Sequence, residues 1–244
     1  MNTVAIIQAR VSSTRLPGKV LKKLGKMTSI ENICERVMRA ETVDEVVVAT
    51  SDEISDDDLY DTLINRGFNC FRGSLDNVLE RFYKCAEKYN ADTVIRLTGD
   101  NPFVASEIID EAVGTFFEKK YDYLYYKDSF PTGICVEIFT FAALKKAYEE
   151  ATDPECIEHV TPYIRYNPKL FNAIHFHDET DEDLSGMRFT MDTPEDYKFV
   201  KAVYEHFGDN GFSYQDVLKF VKDNPELTSI NKGIEQRKVE YKGD

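Results

Sequence analysis

The stretch TVAIIQARVSSTRLPGKVL, residues 3–21, opens with an apolar run and continues into a polar loop that carries three basic side chains. The run at residues 3–8 is continuously apolar instead of alternating, which predicts a strand buried on both faces. EVVVAT at Glu45–Thr50 and TVIRLT at Thr93–Thr98 repeat the pattern, and helical segments separate the three runs. Buried strands that alternate with helices indicate a parallel sheet covered by helices on both sides.

The rest of the chain continues the alternation of strands and helices with weaker signals. In the first half we predict a short strand at residues 69–72 and helices at 29–40, at 74–90 with Ser74 as the cap, and at 106–119. A further helix should follow the acidic stretch after Ser51 and end near Gly67. After Tyr121 we predict strands in YDYLYY (121–126), GICVEIF (133–139), FNAIHFH (171–177) and MRFTM (187–191). Further helices are predicted to start at Asp153 and Pro154 and to cover residues 194–207 and 214–223.

These signals together predict an α/β fold. The sheet should be open, mostly parallel and sandwiched by helices, with strands of mixed direction toward the C-terminus. We find no internal repeat and no Gly/Ser-rich linker in the 244 residues. We therefore predict one domain over residues 1–244.

Charge is distributed unevenly along the chain. Lys and Arg number 30 and Asp and Glu 44, so the formal net charge is −14, which repels nucleic acids and anionic membranes. The first thirty residues nevertheless contain six basic side chains and no acidic one. A positive island on an acidic protein suits a small, highly charged anion better than a long polyanion. We expect neither a nucleic acid nor a membrane as partner.

Cysteine usage and hydropathy bound the cellular compartment. No apolar run approaches the ~20 residues of a membrane span, and the N-terminal segment turns polar too early for a signal peptide. The five cysteines are odd in number, widely spaced and without a CxxC pair, which argues against a disulfide framework or a zinc site. We therefore expect a cytoplasmic protein with reduced thiols.

The loop after the first predicted strand is the first candidate site, because open α/β folds bind ligands at the carboxyl ends of their strands. It holds Arg10, Arg15 and Lys19 together with the hydroxyls of Ser12 and Ser13. Cations, hydroxyls and backbone amides of this kind could converge on phosphate oxygens. The spacing fits neither the GxxxxGK[ST] loop nor the GxGxxG motif. A solvated basic surface loop is the alternative interpretation.

Two aspartates are predicted to face this loop from neighbouring strand ends. Asp100 follows the strand at residues 93–98, and Asp192 lies in TMDTPED. Each also fits an ordinary turn or helix start. As a pair opposite a cationic loop, they offer the hard oxygen ligands that Mg²⁺ takes together with substrate phosphates. His175 and His177 lack a third metal ligand, and such histidines are more often core or surface residues.

Six ordered segments resemble one family, the cytidylyltransferases that make CMP-activated sugar acids, and within it most closely the spore-coat polysaccharide branch. The segments are QARVSSTRLPGK (8–19), FRGSLDNVLERFY (71–83), VIRLTGDNP (94–102), FPTGICVEIF (130–139), EHVTPYIR (158–165) and FTMDTPED (189–196). The resemblance implies a Rossmann-like nucleotidyltransferase sandwich with CTP over the first loop, Mg²⁺ on carboxylates, and a homodimer.

The resemblance also implies roles for individual residues. The nucleotide-binding positions are Ala9, Arg10, Ser12, Ser13, Arg15, Lys19, Arg72, Ser74 and Arg96. Arg15, Lys19 and Asp100 are the expected catalytic residues, and Asp100 and Asp192 the expected metal ligands. Glu137 and His159 lie in segments expected near the acceptor.

The function we predict is transfer of CMP from CTP to an anionic acceptor, a phosphorylated metabolite or a sugar acid, with release of pyrophosphate for surface polysaccharide synthesis. No histidine precedes His159, so a general base is not evident in the first 158 residues. This favours an acceptor that is already ionised, such as a phosphate or phosphonate. A metal-dependent glycosyltransferase, with Asp56, Asp57 and Asp58 as a weak DxD signal, and a nucleotide-binding regulator without catalysis remain as alternatives.

Overall fold

The computed structural model describes residues 1–126, 129–176 and 182–235. The strands are β1 Thr3–Gln8, β2 Lys23–Leu24, β3 Met27–Thr28, β4 Glu45–Ser51, β5 Asn69–Gly73, β6 Thr93–Thr98, β7 Tyr123–Tyr126, β8 Glu137–Thr140 and β9 Ala173–Phe176. The helices are α1 Ser29–Val37, α2 Asp57–Asn65, α3 Val78–Lys88, α4 Ser106–Glu118, α5 Phe141–Glu150, α6 Pro154–His159, α7 Pro162–Arg165, α8 Pro194–Phe207, α9 Tyr214–Asp223 and α10 Pro225–Ser229.

The main sheet of the described residues has seven strands in the order β5-β4-β1-β6-β8-β7-β9. β1 pairs in parallel with β4 on one side and β6 on the other, and β4 pairs in parallel with β5. β8 runs antiparallel to both of its neighbours, β6 and β7, while β9 is parallel to β7. The predicted open, mostly parallel sheet with a mixed-strand part toward the C-terminus is therefore confirmed.

Both faces of the sheet are buried. Ala5 and Ile7 of β1 belong to one apolar cluster, whereas Val4 and Ile6 belong to the other, on the opposite face. Helices α1, α4, α8 and α9 supply side chains to the first cluster, and α3, α5 and α7 to the second. This two-sided burial explains why the strand sequence is continuously apolar.

Three local predictions were wrong. The segment at residues 187–191 is not a strand: it forms one isolated bridge between Thr132 and Arg188, and then turns away because Met191 N donates to Asp100 O at 2.7 Å. The strand predicted at residues 133–139 begins only at Glu137, after Gly133 at φ 102°.

The third local error concerns the start of α3. Asn77 caps this helix by accepting a hydrogen bond from Glu80 N at 2.9 Å, while Ser74 Oγ accepts from Asn77 N one turn earlier. The helices α5, α7 and α10 were not predicted, and His177 lies outside the described residues. Within the described ranges, no helix combines the length and the apolar character that a bilayer crossing requires.

Candidate active site

A cavity of about 660 Å³ opens at the carboxyl ends of β1 and β6. In the main sheet, β4 follows β1 in the sequence and lies on one side of it, whereas β6 lies on the other side. The strand order therefore reverses at β1. Such a switch point is where open α/β sheets bind ligands. The predicted site residues that line the cavity are Ala9, Arg10, Ser12, Ser13, Arg15, Lys19, Arg96, Asp100, Glu137, His159 and Asp192.

Arg72 and Ser74 do not line this cavity. The Arg72 guanidinium is held by Asp57 at 2.7 Å and by the carbonyls of Ser51 and Glu53, and the Ser74 hydroxyl accepts from Asn77 N. Both side chains are therefore engaged near the start of α2 and α3. Their role toward a nucleotide stays a prediction.

Gly99 brings the loops after β1 and β6 together. Its amide donates to Gln8 O at 2.8 Å, and a Cβ at this position would lie 2.9 Å from Ala9 Cβ. A larger residue would push the two loops apart. The close approach places Asp100, the next residue, opposite the basic loop.

The segment that ends at Asp192 is attached to the same place. Met191 N and Thr190 Oγ1 both donate to Asp100 O, at 2.7 and 3.1 Å. Gly133 permits the contact from behind, because a Cβ there would lie 2.6 Å from Thr190 N. The two aspartates, 92 positions apart in the sequence, thus become neighbours.

Arg15, Lys19, Asp100 and Asp192 form what we call the aspartate cluster. Lys19 Nζ lies 2.7 Å from Asp100 Oδ2 and 2.8 Å from Asp192 Oδ1, and Arg15 Nη2 lies 3.0 Å from Asp192 Oδ2. Burial alone would lower the pKa of Lys19, but the two carboxylates outweigh burial and raise it. Burial would raise the pKa of Asp100, but Lys19 holds it below its usual range. Both groups are therefore charged at neutral pH.

The two carboxylates fit a divalent cation. Their oxygens already converge on one point of positive charge, the Lys19 ammonium. Within the described residues, no group of three or more potential metal ligands occurs. Mg²⁺ does not require one, because proteins commonly hold it with one or two carboxylates while substrate phosphates and water complete the shell.

Behind Asp192 lies a buried network that sequence reasoning missed. Arg188 Nη2 donates to Asp192 Oδ2 at 3.2 Å, and the same guanidinium contacts both oxygens of Asp196 at 2.9 and 3.0 Å. Asn231 Nδ2 donates to Asp196 Oδ1 at 3.0 Å. In the sequence, Thr193 and Asp196 have the spacing of a capping box, which predicts the start of α8 and not a site.

The same cavity is lined by members of a second ionic group, which we call the Glu137 cluster. Glu137 forms an ion pair with Arg96 and accepts hydrogen bonds from Tyr123 Oη and from Thr161 Oγ1, the latter at 2.8 Å. Burial would raise the pKa of Glu137, but Arg96, Tyr123 and Thr161 hold it below its ordinary value. The carboxylate predicted to meet the acceptor is thus occupied by neighbouring groups.

Arg165 is a cavity residue that the sequence did not single out. It ends α7, and its guanidinium carbon lies 4.5 Å from the ring centroid of Tyr125. No carboxylate among the described residues forms a salt bridge with it. His159, at the end of α6, also lines the cavity, with Nε2 3.4 Å from Glu155 Oε2. Arg165 lies in EHVTPYIR, so the same segment that suggested His159 could have drawn attention to it.

Comparison with known proteins decides the family. The sequence matches the family model described as Cytidylyltransferase over residues 4–238. The chain belongs to the cytidylyltransferase family. Its members are CTP-dependent nucleotidyltransferases, which confirms the predicted enzyme class.

Three relatives of this cytidylyltransferase match the chain over most of their own length. The chain is 38% identical over 230 residues to the spore coat polysaccharide biosynthesis protein SpsF of Bacillus subtilis (strain 168), covering 92% of this chain and 95% of that protein. It is 25% identical over 244 residues to a 3-deoxy-manno-octulosonate cytidylyltransferase of Geobacter sulfurreducens, covering 97% and 86%. A solved cytidylyltransferase structure from Leptospira borgpetersenii superposes with a TM-score of 0.89 at 33% identity, covering 97% and 100%.

Proposed function

We propose that this cytidylyltransferase transfers CMP from CTP to an anionic small molecule and releases pyrophosphate. The observation that carries the proposal is the aspartate cluster. Two carboxylates and two cations from distant parts of the chain meet at the strand ends, where the predicted triphosphate and metal sites coincide. A nucleotide-binding regulator without catalysis would not require the two metal-binding carboxylates.

The residues of the loop after β1 would bind the triphosphate. Arg10, Arg15 and Lys19 supply positive charge, and the hydroxyls of Ser12 and Ser13 supply donors at the same wall of the cavity. Asp100 and Asp192 would hold Mg²⁺, which when bound neutralises phosphate oxygens and polarises the α-phosphorus for attack. The reaction is an in-line displacement, so the protein contributes positioning and charge stabilisation.

Asp56 braces this loop from behind. Its carboxylate accepts from Val11 N at 2.7 Å, from Thr50 Oγ1 at 2.9 Å and from Ser51 N and Oγ. Asp56 is fully buried and does not line the cavity, so its carboxylate is a structural group. This disfavours the glycosyltransferase alternative, because the DxD signal at residues 56–58 depended on Asp56 as a metal ligand.

The charges at Arg165 and in the Glu137 cluster support an anionic acceptor. Arg165 lines the wall without a carboxylate in salt-bridge distance among the described residues, whereas Arg96 is neutralised by Glu137. His159 is the one histidine among the described residues that line the cavity, and it lies against Glu155. A phosphate or phosphonate acceptor, ionised before it binds, would need no further base. The similarity to the spore coat polysaccharide protein supports a role in surface polysaccharide synthesis.

A pyrophosphate-release assay tests the proposal. CTP, Mg²⁺ and the protein are incubated with a panel of phosphorylated compounds, phosphonates and sugar acids, and CMP adducts are identified by mass spectrometry. We expect equimolar pyrophosphate and CMP adduct with at least one anionic acceptor, and neither product when ATP replaces CTP. Nucleotide binding without pyrophosphate for any acceptor would favour the regulator, and turnover of a nucleotide sugar would favour the glycosyltransferase.

A further inference from the structure

In the last described segment of the chain, residues 225–235, the Asn231 side chain hydrogen bonds to two residues that contact Asp192 of the aspartate cluster. Asn231 is 4% exposed, and its Nδ2 donates to Arg188 O and to Asp196 Oδ1, both at 3.0 Å. The segment also borders a smaller cavity of about 210 Å³, which it lines together with residues 185–189. Leu227 and Ile230 of the segment pack against the apolar cluster that contains Phe189, and the Asn231 side chain adds hydrogen bonds to Arg188 and Asp196.

Asp196 links Asn231 to Asp192 through hydrogen bonds. Its Oδ1 accepts from Asn231 and from Arg188 Nε, and its Oδ2 accepts from the backbone amides of Asp192 and Thr193 at 3.0 and 3.1 Å. Asp196 is fully buried, so its position depends on these donors. The Asp192 backbone is thereby fixed from the side away from the cavity.

Arg188 fixes the Asp192 side chain in turn. Its Nη2 lies 3.2 Å from Asp192 Oδ2, and its guanidinium is itself oriented by the two oxygens of Asp196. Oδ2 is shared between Arg188 and Arg15, whose Nη2 lies 3.0 Å away, so Oδ1 is the oxygen that faces Lys19. Of the groups that orient this carboxylate, Arg188 therefore lies outside the cavity wall, whereas Arg15 and Lys19 line it.

We propose that Asn231 is a positioning residue for the metal-binding carboxylate of Asp192, acting through Asp196 and Arg188. The inference rests on the proposed function, in which Asp192 holds Mg²⁺. Residues that orient metal ligands commonly change metal affinity or activity by about 10- to 100-fold when they are replaced. The C-terminal segment is then part of the active site, although it contributes no residue to the main cavity wall.

The test compares Asn231→Ala with Asn210→Ala. Asn210 is 5% exposed, donates to Asn32 O at 3.1 Å and accepts from Arg36, so its loss also removes a buried amide, but away from the aspartate cluster. Mn²⁺ binding is measured by electron paramagnetic resonance with an unreactive CTP analogue present. The affinity for the analogue alone and the melting temperature are measured in parallel.

We expect Asn231→Ala to weaken Mn²⁺ binding by about tenfold, with the analogue affinity near that of the wild type. Asn210→Ala should bind Mn²⁺ like the wild type, even if its melting temperature falls as much as that of Asn231→Ala. Asn231→Ser, which retains one donor, should give an intermediate value and serves if the alanine variant does not fold. Unchanged Mn²⁺ affinity in the Asn231 variants, or an equal loss in Asn210→Ala, would overturn the inference.

Measurements on the wild type distinguish failure of this inference from failure of the proposed function. If the wild type binds Mn²⁺ with the analogue and releases pyrophosphate, the proposed function stands whatever the Asn231 variants do. If the wild type does neither, the proposed function fails, and the inference fails with it.

Discussion

The two ionic groups of the cavity are built from similar residues but are held differently. In the aspartate cluster, the cations Arg15 and Lys19 come from a loop and reach the carboxylates with long side chains. In the Glu137 cluster, the partners Arg96 and Tyr123 stand on β6 and β7, the two strands that flank the strand of Glu137, β8. A loop cation can change its partner when a stronger anion arrives, whereas a partner fixed on a strand cannot move without disturbing the sheet. The first cluster therefore suits ligand exchange, and the second stabilises the fold.

The largest effect should follow from removing a carboxylate of the aspartate cluster. Asp192→Asn or Asp100→Asn takes one negative charge from the proposed metal shell, and we expect turnover to fall by orders of magnitude while the fold survives. Pyrophosphate release measures the first effect and circular dichroism the second. Near-normal turnover in both variants would contradict the metal assignment.

The loop cations should have the next largest effect. Arg15→Ala and Lys19→Ala each delete a charge-assisted contact typically worth about 1.5–3 kcal/mol, so CTP affinity should fall accordingly. Arg15→Lys should restore only part of the loss, because an ammonium does not reproduce the guanidinium fork. Calorimetry with CTP measures these affinities, with Lys26→Ala, an exposed cation of the same region, as the control. Unchanged CTP affinity in all three site variants would favour the alternative interpretation of the loop as a solvated basic surface loop.

Substitution in the Glu137 cluster should change stability more than nucleotide affinity. Glu137→Gln leaves Arg96 without its counter-charge and places an amide nitrogen where Oε2 accepts from Arg96, while the remaining oxygen can still accept from Tyr123 and Thr161. We expect the free energy of unfolding to fall by about 1–3 kcal/mol, with CTP affinity unchanged. Urea unfolding and calorimetry give the two values. A variant of normal stability that binds CTP poorly would reverse the comparison.

A smaller effect should appear in the pH dependence of stability. Burial would raise the pKa of Glu137, but Arg96, Tyr123 and Thr161 outweigh it and hold the pKa below the ordinary value of 4.5. The folded state then binds fewer protons at this group than the unfolded state, so its contribution is fully present above about pH 4.5 and is lost as the pH falls through the lower folded pKa. The stability of Glu137→Gln should fall less steeply below that pH. Parallel slopes for the two proteins would contradict this.

Much of the fold could be predicted because its signals are local. The buried strands at residues 3–8 and 93–98 and the capped helices α8 and α9 occur where their sequences indicate. The strand predicted at residues 187–191 was wrong because its ends are set by long-range contacts to Thr132 and Asp100, which the local pattern does not contain.

Part of the candidate site could be predicted from the sequence for the same reason. The loop cations and the two aspartates follow predictable strand ends, and the structure brings them together. Arg188 and Asn231 were missed because their importance comes from contacts over long sequence distances. The homodimer, the cytoplasmic location and the lack of a nucleic-acid partner stay predictions.

The most direct test of partner exchange in the aspartate cluster is Mn²⁺ titration with and without an unreactive CTP analogue. Lys19 and Arg15 compete with a metal for the carboxylates, and a triphosphate would draw them away. We predict that the analogue increases Mn²⁺ affinity by about tenfold or more. Lys19→Met should increase Mn²⁺ affinity without the analogue and weaken binding of the analogue itself. Equal Mn²⁺ affinity under both conditions, unaltered by Lys19→Met, would contradict the account.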